Sequence, residues 1–157
     1  MTDKQTAIAE WRAVLESRLH NLESSKDAAR SGTRVDGEHR PSNRGERAAV
    51  TSSGYLAQGL AQRGAAIQTH LDHLDSMGCE PRTEPVIGAI LTLSIDGGKP
   101  QRIALFPGGD ATVIACGIQV LSSQSPMAVQ LRDSEAGDAV EVDLGARIVD
   151  VEIESIA

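Results

Sequence analysis

Aromatic side chains are nearly missing from this 157-residue chain, which has only Trp11, Tyr55 and Phe106. Its core must be built from Val, Ile, Leu and Ala, and stacking on exposed bases, which needs aromatic platforms, is disfavoured as a working principle. Cysteine is equally scarce. Cys79 and Cys116 stand apart, with no Cys-x-x-Cys or Cys/His cluster, so a structural zinc site is not expected. They read as a linker thiol and a small buried hydrophobe. No run of about 18 apolar residues is present, which excludes a helical membrane span. Residues 1–10 carry Asp3, Lys4 and Glu10 and no apolar run, unlike a secretory signal, so a cytoplasmic protein is expected. Basic charge is also short: 15 Lys+Arg against 22 Asp+Glu leave a formal net charge of -7. That balance argues against holding bulk nucleic acid on a basic surface. No Gly-x-Ser-x-Gly motif or local histidine supports Ser122, Ser123 or Ser125 as a nucleophile; turn and cap roles suit them better.

What is present divides into two halves of different period. Ile8, Trp11, Leu15, Leu19 and Leu22 recur at spacings of three and four, the pattern of one helix face. Leu56, Leu60, Ile67, Leu71 and Leu74 form a second such stripe, with Gly64 where a further seam residue would fall. Gly78 offers a C-cap, and Pro81 and Pro85 mark a linker. Two narrow stripes in succession predict an antiparallel helical hairpin of the coiled-coil kind. Between them lies a breaker-rich stretch with Gly32, Gly37, Pro41 and Gly45, the expected tip. Its charges are mixed: Arg34, Arg40, Arg44 and Arg47 against Asp36, Glu38 and Glu46. Ser42 or Asn43 suits the N-cap of the second helix, with Glu46 at N3 for a cap at Asn43. His70 and His73, flanked by Asp72 and Asp75, read as a hydrated helix end, because the two pairs point in different directions.

The second half has strand character. Val86 to Ile95 is rich in β-branched residues, Asp96-Gly97-Gly98 is a hairpin turn signal, and Arg102 to Phe106 forms the return strand. After Pro107-Gly108-Gly109-Asp110 come strands at 111–116 and 118–121. A short helix starts at Pro126, capped by Ser125, and ends near Leu131. Residues 139–144 and 147–156 form a last hairpin, with Val149, Val151 and Ile153 on one face and Asp150, Glu152 and Glu154 on the other. The fold class is α+β: a hairpin over 1–77 with its tip near 31–45, a linker over 78–85, and a small antiparallel sheet domain over 86–157. Residues 1–77 hold ten basic and ten acidic residues; residues 78–157 hold five and twelve, so the sheet half carries the net charge.

A strand running through Ile118-Gln119-Val120-Leu121 enters Ser122-Ser123-Gln124-Ser125-Pro126; a short helix follows, and Gly137-Asp138 opens another strand. That order resembles the C-terminal domain of the bacterial GreA/GreB transcription factors. Arg40-Pro41-Ser42-Asn43-Arg44-Gly45-Glu46-Arg47 and Ser53-Gly54-Tyr55-Leu56-Ala57 look like the second-helix start of small, divergent Gre-like proteins. The resemblance implies a coiled coil followed by an FKBP-like sheet domain. It also implies binding to bacterial RNA polymerase: the sheet domain docks at the rim of the secondary channel and the coil enters it. Nucleic acid is met only within the transcription complex. On this reading Ser122, Gln124, Ser125, Pro126 and Asp138 belong to the docking region. A prolyl isomerase is disfavoured, because such pockets are aromatic-lined and this sheet has Phe106 alone.

In the family, an acidic pair at the tip helps hold the second Mg²⁺ of the polymerase active site, and the polymerase then cleaves its own transcript. The factor itself is not an enzyme and carries no cofactor of its own. Here, with Asn43 aligned to the family's asparagine, the two acidic positions hold His39 and Ser42. An imidazole and a neutral hydroxyl are poor Mg²⁺ ligands. A shifted loop would have to present Asp36 and Glu38 instead. A second departure is Asp133-Ser134 where the family has Gly-Lys, which makes the docking region more acidic. The expectation is a polymerase-binding regulator with little or no stimulation of cleavage. Two other readings stay open: an accessory factor like the nucleoside diphosphate kinase regulator, and a coiled-coil adaptor unrelated to polymerase.

Overall fold

The computed structural model describes residues 1–31 and 44–157. In chain order the elements are α1 (Asp3–Ser31), α2 (Arg44–Ser76), β1 (Ile90–Ile95), β2 (Gln101–Leu105), β3 (Asp110–Val113), β4 (Gln119–Leu121), α3 (Pro126–Leu131), β5 (Ala139–Asp143) and β6 (Ile148–Ile156). This is the expected α+β plan of a long helical hairpin followed by a small sheet with one short helix. The chain forms two compact units, residues 14–69 and residues 1–13 with 70–157. The expected change at 77/78 marks the chain's exit from α2, whereas the packing places the helix bases with the sheet.

In the helical unit, the inward residues of α2 are Val50, Ser53, Ala57, Leu60, Gly64 and Ile67, a strict alternation of three and four. Such a repeat underlies the left-handed supercoiled seam of a coiled coil. On α1 the matching residues are Leu15, Leu19, Leu22, Lys26 and Ala29. A cleft lined by Leu19, Leu22 and Lys26 on α1 and by Gly64, Ala61 and Leu60 on α2 shows the antiparallel register. The seam differs from expectation at one point. Leu56 is 57% exposed, and Ala57 takes the inward place. Counting back from Gly64 through Leu60, the repeat reaches 57, not 56.

The sheet unit has strand order β3-β4-β2-β1-β6-β5. Every neighbouring pair is antiparallel except β2 and β4, which run parallel. The expected small antiparallel sheet is thus found with one parallel pair, which burial accounts for. Val120 in β4 is fully buried, whereas Asp110, Ala111 and Val113 in β3 are exposed. The polar strand takes the edge, and β4 turns back to lie beside β2. β1 also starts later than expected. Gly88 adopts φ +92 and donates its N–H to Leu105 O, while Ala89 N bonds Val86 O, so 86–89 is a turn. The hairpin turn at 96–97 is as read: Asp96 and Gly97 have φ 50 and 70, and Gly98 N donates to Ile95 O at 2.9 Å, the type I′ geometry.

One sheet face packs Leu91, Leu93, Ile103, Leu105, Val142, Val149, Val151 and Ile153 against Ala128 and Leu131 of α3. The other face carries Ile90, Ala104 and Val120, also buried. The helix bases are held by specific contacts. Trp11, fully buried, donates its indole N–H to Pro107 O at 2.9 Å. His70 lies so close to Gly108 that a β-carbon there would come within 2.7 Å of its ring. Arg12 pairs with Asp75, and Arg102 with Asp3 at 3.0 Å. Lys4 is only 6% exposed, and its ammonium donates to Glu80 O. Burial and the neighbouring Arg82 hold it below the ordinary lysine value, with Cys79 and Glu80 acting the other way. Both cysteines are exposed, so Cys116 is not the buried hydrophobe expected. It lies in the turn 114–117 ahead of β4, where its backbone N–H donates to Glu10 at 2.8 Å.

Candidate functional site

The docking region expected around Ser122–Asp138 is built from two turns and the short helix between them. Ser122 Oγ accepts the N–H of Gln124 at 3.1 Å, and Ser125 N donates to Ser122 O at 3.0 Å, so the chain turns tightly on leaving β4. Ser125 is extended (φ -62, ψ 149), and its hydroxyl accepts from Ala128 N at 3.3 Å. Pro126 follows in the first turn, where its missing N–H leaves nothing unpaired. Gln124 and Pro126 are exposed, while Ser122 and Ser125 are half-buried. After α3, Ser134 N bonds Leu131 O and Ser134 is buried, so the Asp133-Ser134 pair closes the helix as a turn.

Asp138 closes the second turn from both sides. Its carboxylate accepts the N–H of Glu135 at 2.8 Å, and its own N–H donates to Glu135 O at 3.1 Å. Gly137, at φ +96, donates to Ile153 O, which aligns the start of β5 with β6. Ser122, Ser125 and Asp138 thus each hold a backbone turn, and Gln124 and Pro126 form the outer surface.

One residue of this region was not singled out from the sequence. The Gln130 side chain donates to Asp143 O and accepts from Asp143 N, both at 2.8 Å, and also donates to Pro126 O at 2.9 Å. β5 is an edge strand, and an unpaired edge is a liability. The Gln130 amide supplies one rung of pairing to that edge and locks α3 against it. Pro126, Gln130, Asp143, Leu144 and Gly145 line a shallow groove there. No local motif signals a contact across 13 residues.

The electrostatics of the sheet follow its alternation. Asp150, Glu152 and Glu154 of β6 and Glu141 of β5 are exposed and face away from the α3 side, with Glu141 directly opposite Asp150. Ser94 donates to Glu154, and Asp150 N donates to Asp96 at 2.9 Å. The β5–β6 end of that face is therefore anionic.

Of the expected tip residues, Arg44 and Glu46 lie in the first turn of α2, Arg44 exposed and Glu46 half-buried. Asp36, Glu38, His39, Arg40 and Ser42, with the cap expected at Ser42 or Asn43, lie outside the described residues. Among the described residues no group of three or more His, Cys, Asp or Glu is placed to hold a metal ion. None of the described helices is long and apolar enough to cross a membrane.

No family model matches this chain, and no curated protein matches it. Among solved structures it is similar to the GreA factor homolog 1 (Gfh1) protein of Thermus thermophilus, at 15% identity and a TM-score of 0.38, covering 92% of this chain and 90% of that one. It is likewise similar to Thermus aquaticus Gfh1, at 17% identity and a TM-score of 0.39, covering 90% and 92%. A third structure, of the transcription factor Gfh1, gives 16% identity and a TM-score of 0.39 over 90% and 92%. A likeness this distant carries no information about function.

Proposed function

We propose that this chain is a Gre-like transcription factor that binds bacterial RNA polymerase through its sheet unit and works through the secondary channel with its helical hairpin. The observation that carries this reading is the Ser-x-x-Ser-Pro to Gly-Asp succession in its fold context. Ser125 caps α3, Pro126 begins it, and Gly137-Asp138 turns the chain into β5. Its place after a long hairpin supports the same reading. The chain performs no chemistry of its own. The family's metal chemistry belongs to the polymerase, and His39 and Ser42 at the aligned positions are a poor donor pair for a shared Mg²⁺. The protein therefore alters transcription by occupying the channel, with little or no stimulated cleavage. Arg44, in the exposed first turn of α2, is available for phosphates or acidic channel residues.

The test uses backtracked polymerase complexes and the full chain, wild type against Asp36→Ala/Glu38→Ala. The expected outcome is a change in elongation or initiation with no burst of short cleaved transcript from either protein. Arg44→Ala should weaken that change, and salt should weaken it further. Strong cleavage by the wild type that the double variant loses would make the tip a shifted metal-holding site. No effect on transcription at saturating protein would sink the reading.

A further inference from the structure

Some glycines in this fold are demanded by their surroundings, but Gly59 and Gly64 in the middle of α2 are not. Both lie within the helix without a left-handed φ. A β-carbon at Gly59 would meet nothing within 4 Å; at Gly64 it would meet only Leu19 Cδ1 at 3.6 Å, an ordinary contact. Each glycine weakens the helix about fivefold relative to Ala. The inward positions around them are weak as well. Of Ser53, Ala57, Leu60 and Gly64, only Leu60 is large. Gly64 leaves a cleft of about 240 Å³ whose lining includes Leu19, Leu22 and Leu60. On either side a threonine bonds back onto its own helix, Thr51 to Arg47 O at 2.9 Å and Thr69 to Ala65 O at 3.0 Å. Such back-bonding bends helices and slightly destabilises them.

We infer that residues 51–69 of α2 are a built-in opening segment. There the helix unwinds locally and separates from Leu19 and Leu22 while the strands stay folded. Low helix propensity, thin seam packing and threonine back-bonding coincide over the same five turns. A helix kept only for reach would be better served by Ala at both glycines. Opening gives the hairpin a bend and frees Leu19, Leu22 and Leu60 for contact.

The test is hydrogen exchange on the full chain, wild type against Gly59→Ala/Gly64→Ala. Amides 53–64 of the wild type should exchange by local opening, far faster than those of β1 and insensitive to low denaturant. The double variant should slow them about 25-fold, fivefold per glycine, and leave β1 unchanged. Exchange of 53–64 only by global unfolding in the wild type would overturn the inference. So would an unchanged rate in the double variant, or its failure to fold, which would mean that packing requires a glycine. Thr51→Ala and Thr69→Ala provide a second, milder series in the same direction.

Discussion

Two glycines separate the two regions of this molecule. At Gly109, in the turn after β2, a β-carbon would fall 2.1 Å from the Leu121 carbonyl carbon; at Gly59 in α2 it would meet nothing. At the turn after β2, backbone runs so close to backbone that the residue type is dictated by space. Along the hairpin, space is left over. The residues around the sheet also include Trp11, Phe106, Leu74 and Ile118, all essentially without solvent exposure. Close packing fixes placement in one region, whereas the seam of the other leaves a cleft beside Gly64. Under the function proposed above, one region would supply the docking surface and the other an arm that adapts.

The sharpest way to break this contrast is at Trp11. Removing its indole leaves a cavity and strips Pro107 O of its donor. Trp11→Ala should cost about 3–5 kcal/mol in chemical denaturation. Trp11→Phe keeps most of the packing and should cost about 1–3 kcal/mol for the carbonyl left unpaired. A loss below about 1 kcal/mol for Trp11→Ala would mean that the helix base is loosely seated.

Gly109→Ala comes next. Its β-carbon meets backbone at Leu121 and Ser122, which cannot rotate aside. The expected loss is about 3 kcal/mol, the upper end of ordinary overpacking. An unchanged melting temperature would show that the turn can shift and that the contrast with Gly59 is overdrawn.

Lys4 gives the smallest effect, read through pH. The fold disfavours its ammonium, so its folded value lies below the ordinary 10.5. Between those two values the unfolded chain binds more protons, and stability rises with pH. That contribution is complete above the unfolded value and is lost as pH falls through the folded one. Cys116 acts oppositely in the alkaline range, because partial desolvation of its thiol and a hydrogen bond from that thiol to the Glu10 side chain raise it. Measured in a Cys116→Ser background, the alkaline rise should be present with Lys4 and absent in Lys4→Met. The same slope in both would remove Lys4 as its source.

Much of this architecture was legible in the sequence. Periods of three and four marked both helices, Asp96-Gly97 marked its turn, and Ser125-Pro126 marked the start of α3, because each signal is local. Apart from the turn at 86–89 and the exposure of Cys116, the misses were non-local. Ala57 displaced Leu56 because seam phase is set by the partner helix. The parallel β2–β4 pair followed from which strand could tolerate an edge. Trp11 reaching Pro107 and Gln130 reaching Asp143 span 96 and 13 residues, and no short motif encodes them. At the candidate site, the turn roles of Ser122, Ser125 and Asp138 were partly readable, whereas the Gln130 clamp was not.

The most direct test of the central claim is displacement of fluorescently labelled GreA from purified core RNA polymerase by the full-length chain. The account predicts competitive displacement at stoichiometric or low-micromolar protein, with Trp11→Ala impaired in proportion to its loss of folded protein. A folded chain that leaves labelled GreA fully bound at tens of micromolar would contradict it.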